Sequence, residues 1–148
     1  DALKLEFPYI FSGDNYPGIP KVEINIIENK TFEICGTKIK PIEVLHYKLP
    51  VFGFRIKNFV YLTDVSAISE EEKEKMKGAD FIILDALRKK PHISHFNLEQ
   101  ALKLLEELNP KQALLTHISH YMGLNDEVNK ELPAHVNLAY DGQVIYLK

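Results

Sequence analysis

Histidine and aspartate recur in one setting along this chain, directly after a short apolar run that reads as a strand. His46 follows Ile42-Glu43-Val44-Leu45, Asp64 follows Phe59-Val60-Tyr61-Leu62-Thr63, and His117 follows Ala113-Leu114-Leu115-Thr116. His95 stands in Ser94-His95-Phe96-Asn97, just ahead of a helix start. Rigid strands aim the side chains at their ends into a common crevice. Imidazoles with one carboxylate suit Zn²⁺ or a similar divalent ion, and the two oxygens of Asp64 can serve one ion each. Each residue taken singly also has a structural reading. A strand-end histidine bonds to backbone, an aspartate caps a turn, and His95 belongs to the loop that leads into the Asn97 cap. The spacings are too long for a local motif such as His-Glu-x-x-His.

The elements that must position these residues follow from periodicity and punctuation. Phe11 to Pro20 (FSGDNYPGIP) is rich in Gly, Pro, Asp and Asn and reads as a loop. Val22, Ile24 and Ile26 alternate with polar residues, which predicts a half-buried strand. Thr31 to Cys35 and Thr37 to Leu45 predict two more strands joined at Gly36, with Pro41 marking an edge or a bulge. Phe52 to Ile56 and Phe59 to Thr63 flank Lys57-Asn58 as a hairpin. Ser69 and Glu72 have capping-box spacing and Gly78 is the expected stop, giving a short charged helix between them. Phe81-Ile82-Ile83-Leu84 is a short apolar run, as in a strand covered on both faces.

Asn97 and Gln100 open a second helix, which keeps Leu98, Ala101, Leu102, Leu105 and Leu108 on one face until Asn109-Pro110. Ala113 to Thr116 is another buried strand, and Leu124, Val128 and Leu132 mark a short helix. Val136 to Tyr140, Asp141-Gly142 and Gln143 to Leu147 predict a hairpin with a type I′ turn. Antiparallel strands come first, and strands alternating with helices follow. That order predicts a mixed α/β (α+β) domain with helices on the sheet faces.

Composition narrows the function classes. A net charge of −3 gives no basic stripe for nucleic acid or an anionic membrane. No apolar run reaches the ~20 residues of a transmembrane helix. The 148 residues suffice for a core without staples, and the single cysteine, Cys35, forbids an internal disulfide. One cysteine fits a reducing, cytoplasmic compartment. The chain starts at Asp1, and Asp1 to Phe7 reads as the tail of a helix already under way.

Three segments together resemble a known family: Tyr61-Leu62-Thr63-Asp64, Ser94-His95-Phe96-Asn97-Leu98-Glu99-Gln100-Ala101-Leu102, and Leu115-Thr116-His117-Ile118-Ser119-His120. In this order they are similar to the second half of a metallo-β-lactamase-fold phosphodiesterase. The branch is that of the cyclic-phosphate phosphodiesterases of phosphonate breakdown, related to the tRNA 3′-processing endonucleases. Val44-Leu45-His46, Gly53-Phe54 and Ala139-Tyr140-Asp141-Gly142 fit the same pattern, and the resemblance runs from about Tyr9 onward.

The resemblance implies a four-layer αββα sandwich, of which this chain is the C-terminal half to two-thirds. It implies His46 as ligand of one divalent ion, His117 as ligand of the other, and Asp64 as the bridge between the two. Zn²⁺ and Mn²⁺ both suit these donors. It implies His95 as a non-metal acid at the leaving oxygen, and His120 as a substrate contact. The substrate would be a small phosphodiester attacked by an activated water. Arg88 and Lys89 stand where a phosphate could be met, although a solvated loop explains them as well. His92 and His135 read as surface or structural residues.

The chain departs from the family in one large respect. It has no His-x-His-x-Asp-His motif, which supplies most of the family's ligands. Three ligands shared by two ions predict partial or no occupancy in this chain by itself. Loss of half the sandwich also predicts an uncovered apolar sheet face. The missing segment or a second copy is expected to cover it. Three rival readings stand beside this one: another hydrolase of the same fold, acting on thioesters, lactams or RNA ends; a non-catalytic half-domain that serves as a binding or assembly subunit; and a plain structural domain whose histidines are hydrogen-bonded and metal-free.

Overall fold

The computed structural model describes residues 2–13 and 17–146. Two short helices come first, α1 (Ala2–Glu6) and α2 (Pro8–Phe11), and neither buries a residue. Seven strands then form one sheet in sequence order. β1 (Phe32–Ile34), β2 (Thr37–His46), β3 (Leu49–Ile56) and β4 (Phe59–Leu62) run antiparallel. β5 (Phe81–Asp85), β6 (Gln112–Thr116) and β7 (Val136–Leu138) extend the sheet from β4 in parallel.

Connection length explains the change of direction. Two-residue turns join the antiparallel neighbours, and crossovers through α3 (Glu70–Glu74), α4 (Leu98–Leu108) and α5 (Asn125–Val128) join the parallel ones. Cys35 and Gly36 both take positive φ, 48° and 76°, as a type I′ turn requires. Pro41 lies beyond the last residue of β2 that pairs with β1, so its missing N–H costs no ladder bond. Gly53 in β3 faces Leu62 of β4. A Cβ there would overlap the Leu62 side chain and sit 2.8 Å from the Tyr61 carbonyl oxygen, so no larger residue fits.

One face of the sheet carries the core. Ile42, Val44, Val60, Leu62, Ile82, Leu84, Ala113 and Leu115 join Ala101, Leu104, Leu105 and Leu108 of α4 in a single buried cluster. Helix α4 forms as its residues predict. Asn97 Oδ1 accepts from the Gln100 N–H at 2.9 Å, and Gln100 Oε1 accepts from the Asn97 N–H at 3.0 Å. Asn109 ends the helix in the left-handed conformation, φ 47°, one residue before Pro110.

The opposite face is also apolar. Register places Phe54 beside Tyr61, Ile56 beside Phe59, Phe59 beside Phe81, and Ile83 beside Leu114. The rings of Phe59 and Phe81 lie 6.0 Å apart and tilted to each other, and Phe32 meets Phe54 edge-on at 6.4 Å. None of these residues belongs to the helix-covered cluster, and Tyr61 and Ile34 stand 44% and 55% exposed. Phe81 and Leu114 on the same face are buried, so its exposure is confined to part of the sheet.

Four expectations need correction. Val22 to Ile26 forms no strand. The alternation is present, but no described strand lies beside it to supply a ladder, and Val22 and Ile24 remain 44% and 46% exposed. Asp141-Gly142 does turn, with the Gln143 N–H donating to the Tyr140 carbonyl at 3.2 Å, yet no return strand follows among the described residues. β7 pairs in parallel with β6 instead, and Leu147 lies outside the described residues. Gly78 does not stop α3, which ends at Glu74 with Lys75 as its cap. Phe11 belongs to α2 rather than to the loop predicted to start there, of which residues 14–16 lie outside the described residues.

The Ser69–Glu72 capping box is half formed. Ser69 Oγ accepts from the Glu72 N–H at 3.3 Å, but the Glu72 carboxylate turns inward. It accepts from the Glu43 N–H, from Asn29 Nδ2 and from Lys75 Nζ, each at 2.8 Å. Burial pushes this carboxyl up. The bonds from Lys75, Asn29 and Glu43 outweigh that and hold it below its ordinary value of 4.5. A depressed folded value adds stability above pH 4.5, and that stability drains away as pH falls through the folded value. Glu72→Gln should therefore cost about 1–2 kcal/mol at pH 7. Between pH 7 and pH 4 the urea midpoint should fall less in the variant than in the parent. Equal falls would mean that the Glu72 network does not bind the helix to the sheet.

Candidate metal centre

The strand ends bring His46, Asp64, His95 and His117 to one place. His46 closes β2, and its neighbours are tied to the loop after β4. The Leu45 N–H donates to the Ala67 carbonyl at 3.0 Å, and the Ser66 N–H donates to the Leu45 carbonyl at 2.7 Å. Ser66 Oγ accepts from the Tyr47 N–H at 2.8 Å. His46 and Asp64 therefore sit on one stitched platform. A second set of bonds joins the other loops. The Ala86 N–H reaches the Thr116 carbonyl at 3.0 Å, the Leu87 N–H the Phe96 carbonyl at 2.9 Å, and the Ser119 N–H the Leu87 carbonyl at 2.9 Å.

Asp64 and His117 both adopt left-handed backbone, at φ 60° and 59°. This conformation costs a non-glycine residue on the order of 1 kcal/mol and persists where the surroundings impose it. Here it turns both side chains back over the sheet end.

His46 Nε2 lies 3.3 Å from His95 Nε2, and His117 Nε2 lies 3.7 Å from Asp64 Oδ1. His95 Nδ1 is 3.9 Å from the same Asp64 oxygen. The ring of His95 stands 4.7 Å from those of both His46 and His117. One donor atom each from His46, Asp64 and His95 lies within 4.8 Å of the others. Donors about 2.1 Å from a tetrahedral ion are about 3.4 Å apart, so the spacing and the imidazole–carboxylate chemistry fit a divalent metal.

Asp85, at the end of β5, is fully buried beneath this group. Its Oδ1 accepts from the Val65 N–H at 3.2 Å. Its Oδ2 has no hydrogen-bond partner and faces His95 Nδ1 at 3.7 Å, an atom that is equally buried and unpartnered. Burial pushes the Asp85 carboxyl up to about 7, with the charge of Asp64 adding to the effect. Burial also lowers His95, with further lowering from His117 and His46. Asp85 obeys the rule that singled out Asp64 and His117, a polar residue ending an apolar strand, yet the sequence reading did not take it up.

The other candidates fall as follows. His120 stays out of the cluster and stacks on the Tyr121 ring at 3.9 Å. Arg88 is turned to its own loop, donating to the carbonyls of Pro91 at 2.7 Å and Lys90 at 3.2 Å. Lys89 pairs with Glu131 at 2.9 Å. His92, read from sequence as structural, lies closer to the centre, with its ring 5.2 Å from that of His95. The Ser94 N–H donates to its Nδ1 at 3.3 Å. A cleft of about 460 Å³, lined by Thr116, His117, Asn125, Tyr140 and Asp141, opens beside His117.

A family model described as Beta-lactamase superfamily domain matches residues 1–118. The chain belongs to that superfamily. A metallo-β-lactamase fold accounts for the mixed sheet, the one-sided helices and the strand-end histidines together. Among solved structures, a diphosphatase of the PhnP family is 35% identical with a TM-score of 0.87, over 99% of this chain and 54% of that one. Human tRNase Z, short form, is 21% identical with a TM-score of 0.62, over 81% of this chain and 48% of its own, a likeness of fold. Among curated proteins, the octanoyltransferase of Porphyromonas gingivalis is 30% identical over 144 residues, 96% of this chain and 29% of that protein. The metallo-β-lactamase chain thus spans about half of the diphosphatase and less than a third of the octanoyltransferase. No helix among the described residues is long and apolar enough to cross a membrane.

Proposed function

We propose that this chain is the C-terminal part of a dinuclear metal-dependent hydrolase that cleaves phosphodiester bonds, cyclic phosphates included. The observation that carries the reading is the gathering of His46, Asp64 and His95, whose donor atoms lie within 4.8 Å of one another, with His117 Nε2 3.7 Å from Asp64 Oδ1. The likeness to the PhnP-family diphosphatase supports it. His46 would hold one ion, His117 the other, and Asp64 would serve both, with Zn²⁺ or Mn²⁺ suiting these donors. Such ions supply Lewis acidity toward phosphoryl oxygens and a water made nucleophilic near neutral pH. His95 gives a proton from Nε2 to the leaving oxygen, and His120 contacts substrate from the rim.

The remaining ligands come from a segment bearing a His-x-His-x-Asp-His motif. That segment, or a second copy of this chain, covers the Phe54–Tyr61–Ile83 face. This chain by itself therefore takes up at most part of the metal complement.

The test is to purify the complete protein, load it with Zn²⁺ or Mn²⁺, and offer cyclic and linear phosphodiesters beside a thioester and a lactam. Chelator-sensitive phosphodiester turnover is expected. Turnover of the thioester or lactam alone would replace this reading with its rival, and metal binding without any turnover would favour a non-catalytic subunit. A diphosphate substrate belongs in the panel as a second reading, because the similar structure is that of a diphosphatase.

A further inference from the structure

The loop that carries His92 to the edge of the site is closed by its own bonds. The Leu98 N–H donates to the Arg88 carbonyl at 2.9 Å, and Asn97 Nδ2 donates to the Lys89 carbonyl at 3.4 Å. The Arg88 guanidinium donates to the carbonyls of Lys90 and Pro91, the two residues ahead of His92. Arg88 thus braces the corner on which His92 stands. His92 Nδ1 then accepts from the Ser94 N–H at 3.3 Å, with Ser94 Oγ at the same distance.

A backbone N–H can only donate. Nδ1 of His92 is therefore the bare nitrogen, and the neutral ring carries its hydrogen on Nε2. Among the described residues that Nε2–H has no hydrogen-bond partner. The loop holds the ring by one nitrogen and leaves the other as an open donor. The ring lies 5.2 Å from that of His95. His46 and His117 each lie 4.7 Å from His95, yet neither makes a ring contact with His92 among the described residues. His92 therefore flanks His95 on a side away from the metal donors, where a group leaving past His95 arrives.

We propose that His92 is a specificity-determining residue whose Nε2–H donates to an oxygen of a departing phosphate, so that the site favours diphosphates over diesters with alkyl or aryl leaving groups. The proposal rests on the reading of this site as a phosphoryl-transfer centre with His95 at the leaving oxygen. A departing phosphate offers acceptor oxygens beyond the one that was bridging, whereas an alkoxide or phenolate offers only the oxygen that leaves. Arg88 and Lys89 are spent on loop carbonyls and on Glu131, so the anion meets a neutral donor on this loop. That hydrogen bond strengthens as charge builds on the leaving oxygens, which is where it aids the rate. In the reaction, water attacks the phosphorus nearer the metal donors and loses a proton to solvent. The P–O bond to the second phosphate breaks, and the bridging oxygen leaves with the electron pair. His92 keeps its hydrogen throughout.

Two variants separate the donor from the brace. In His92→Asn the amide oxygen takes the place of Nδ1 and keeps the Ser94 N–H bond, while nothing reaches the place of Nε2. In His92→Gln the amide nitrogen returns a donor there. In the complete, metal-loaded protein, His92→Asn should lower kcat/KM for an alkyl diphosphate about tenfold or more, the worth of a hydrogen bond to a charged oxygen, and for bis(p-nitrophenyl) phosphate less than about twofold. His92→Gln should recover most of the diphosphate activity.

Equal losses on both substrates, unrelieved by glutamine, would make His92 a brace of its loop and overturn the proposal. So would an unchanged diphosphate rate in His92→Asn, or a parent protein that cleaves the diester and leaves the diphosphate intact. A parent that cleaves neither would remove the phosphoryl-transfer reading itself, and this proposal with it. One readout needs no turnover. The ¹⁵N shifts of the parent's neutral His92 ring should report hydrogen on Nε2, and hydrogen on Nδ1 would overturn the assignment.

Discussion

Asp64→Asn in the complete protein should give a folded enzyme that no longer retains its metal and no longer turns over substrate. Asparagine is the informative replacement. Asp64 has φ 60°, a conformation that asparagine tolerates and alanine does not. Asp64→Ala would add a backbone penalty of about 1 kcal/mol to the loss of the ligand. Asparagine removes the charge and one ligating oxygen while keeping the turn.

The size of the effect follows from what Asp64 faces. One of its oxygens lies 3.7 Å from His117 Nε2 and 3.9 Å from His95 Nδ1, so a single carboxylate oxygen meets both rings. Loss of a mere outer-shell partner weakens metal binding about 10–100-fold. As the proposed bridge between two ions, Asp64 should cost more than this when replaced and reduce both ions together, with activity falling to background. Elemental analysis after gel filtration gives the metal, and urea unfolding confirms the fold. If Asp64→Asn kept a full metal complement, the bridging assignment would be wrong, whatever happened to the rate.

The sequence made some of this legible and hid the rest, for physical reasons. His46, Asp64 and His117 were readable because each ends an apolar run, and a strand end has a definite place in a sheet. The helix from Leu98 to Leu108 was readable because its cap and its apolar spacing act within a few residues. Contacts that span the chain were not readable. Val22 to Ile26 has a strand's alternation, but pairing depends on a neighbour that no local pattern shows. Asp141-Gly142 has a turn's chemistry, yet the strand before it pairs in parallel with β6, which hydrophobic alternation does not reveal. Glu72 looked like half of a capping box. Its carboxylate instead bonds to Asn29, 43 residues away in the chain. Asp85 shares the strand-end setting, but its burial, the property that gives it meaning, is a fact of packing.

The same limit bears on His95, whose role the local pattern could not settle and whose geometry permits two. Its Nε2 lies close enough to His46 Nε2 to share an ion, and its Nδ1 faces Asp85. As an acid, His95 spends its outward nitrogen on the leaving oxygen. As a ligand, it spends the same nitrogen on metal. His95→Ala decides between them. The acid role predicts that the variant keeps both ions and loses about 10²–10⁴-fold in rate on alkyl phosphodiesters, far less on p-nitrophenyl esters. The ligand role predicts loss of metal and equal losses on every substrate. Diphosphates give a third comparison. A departing phosphate, with a pKa near 6, needs little protonation. If the natural bond is P–O–P, as in the similar diphosphatase, His95→Ala should cost much less on that substrate than on an alkyl ester.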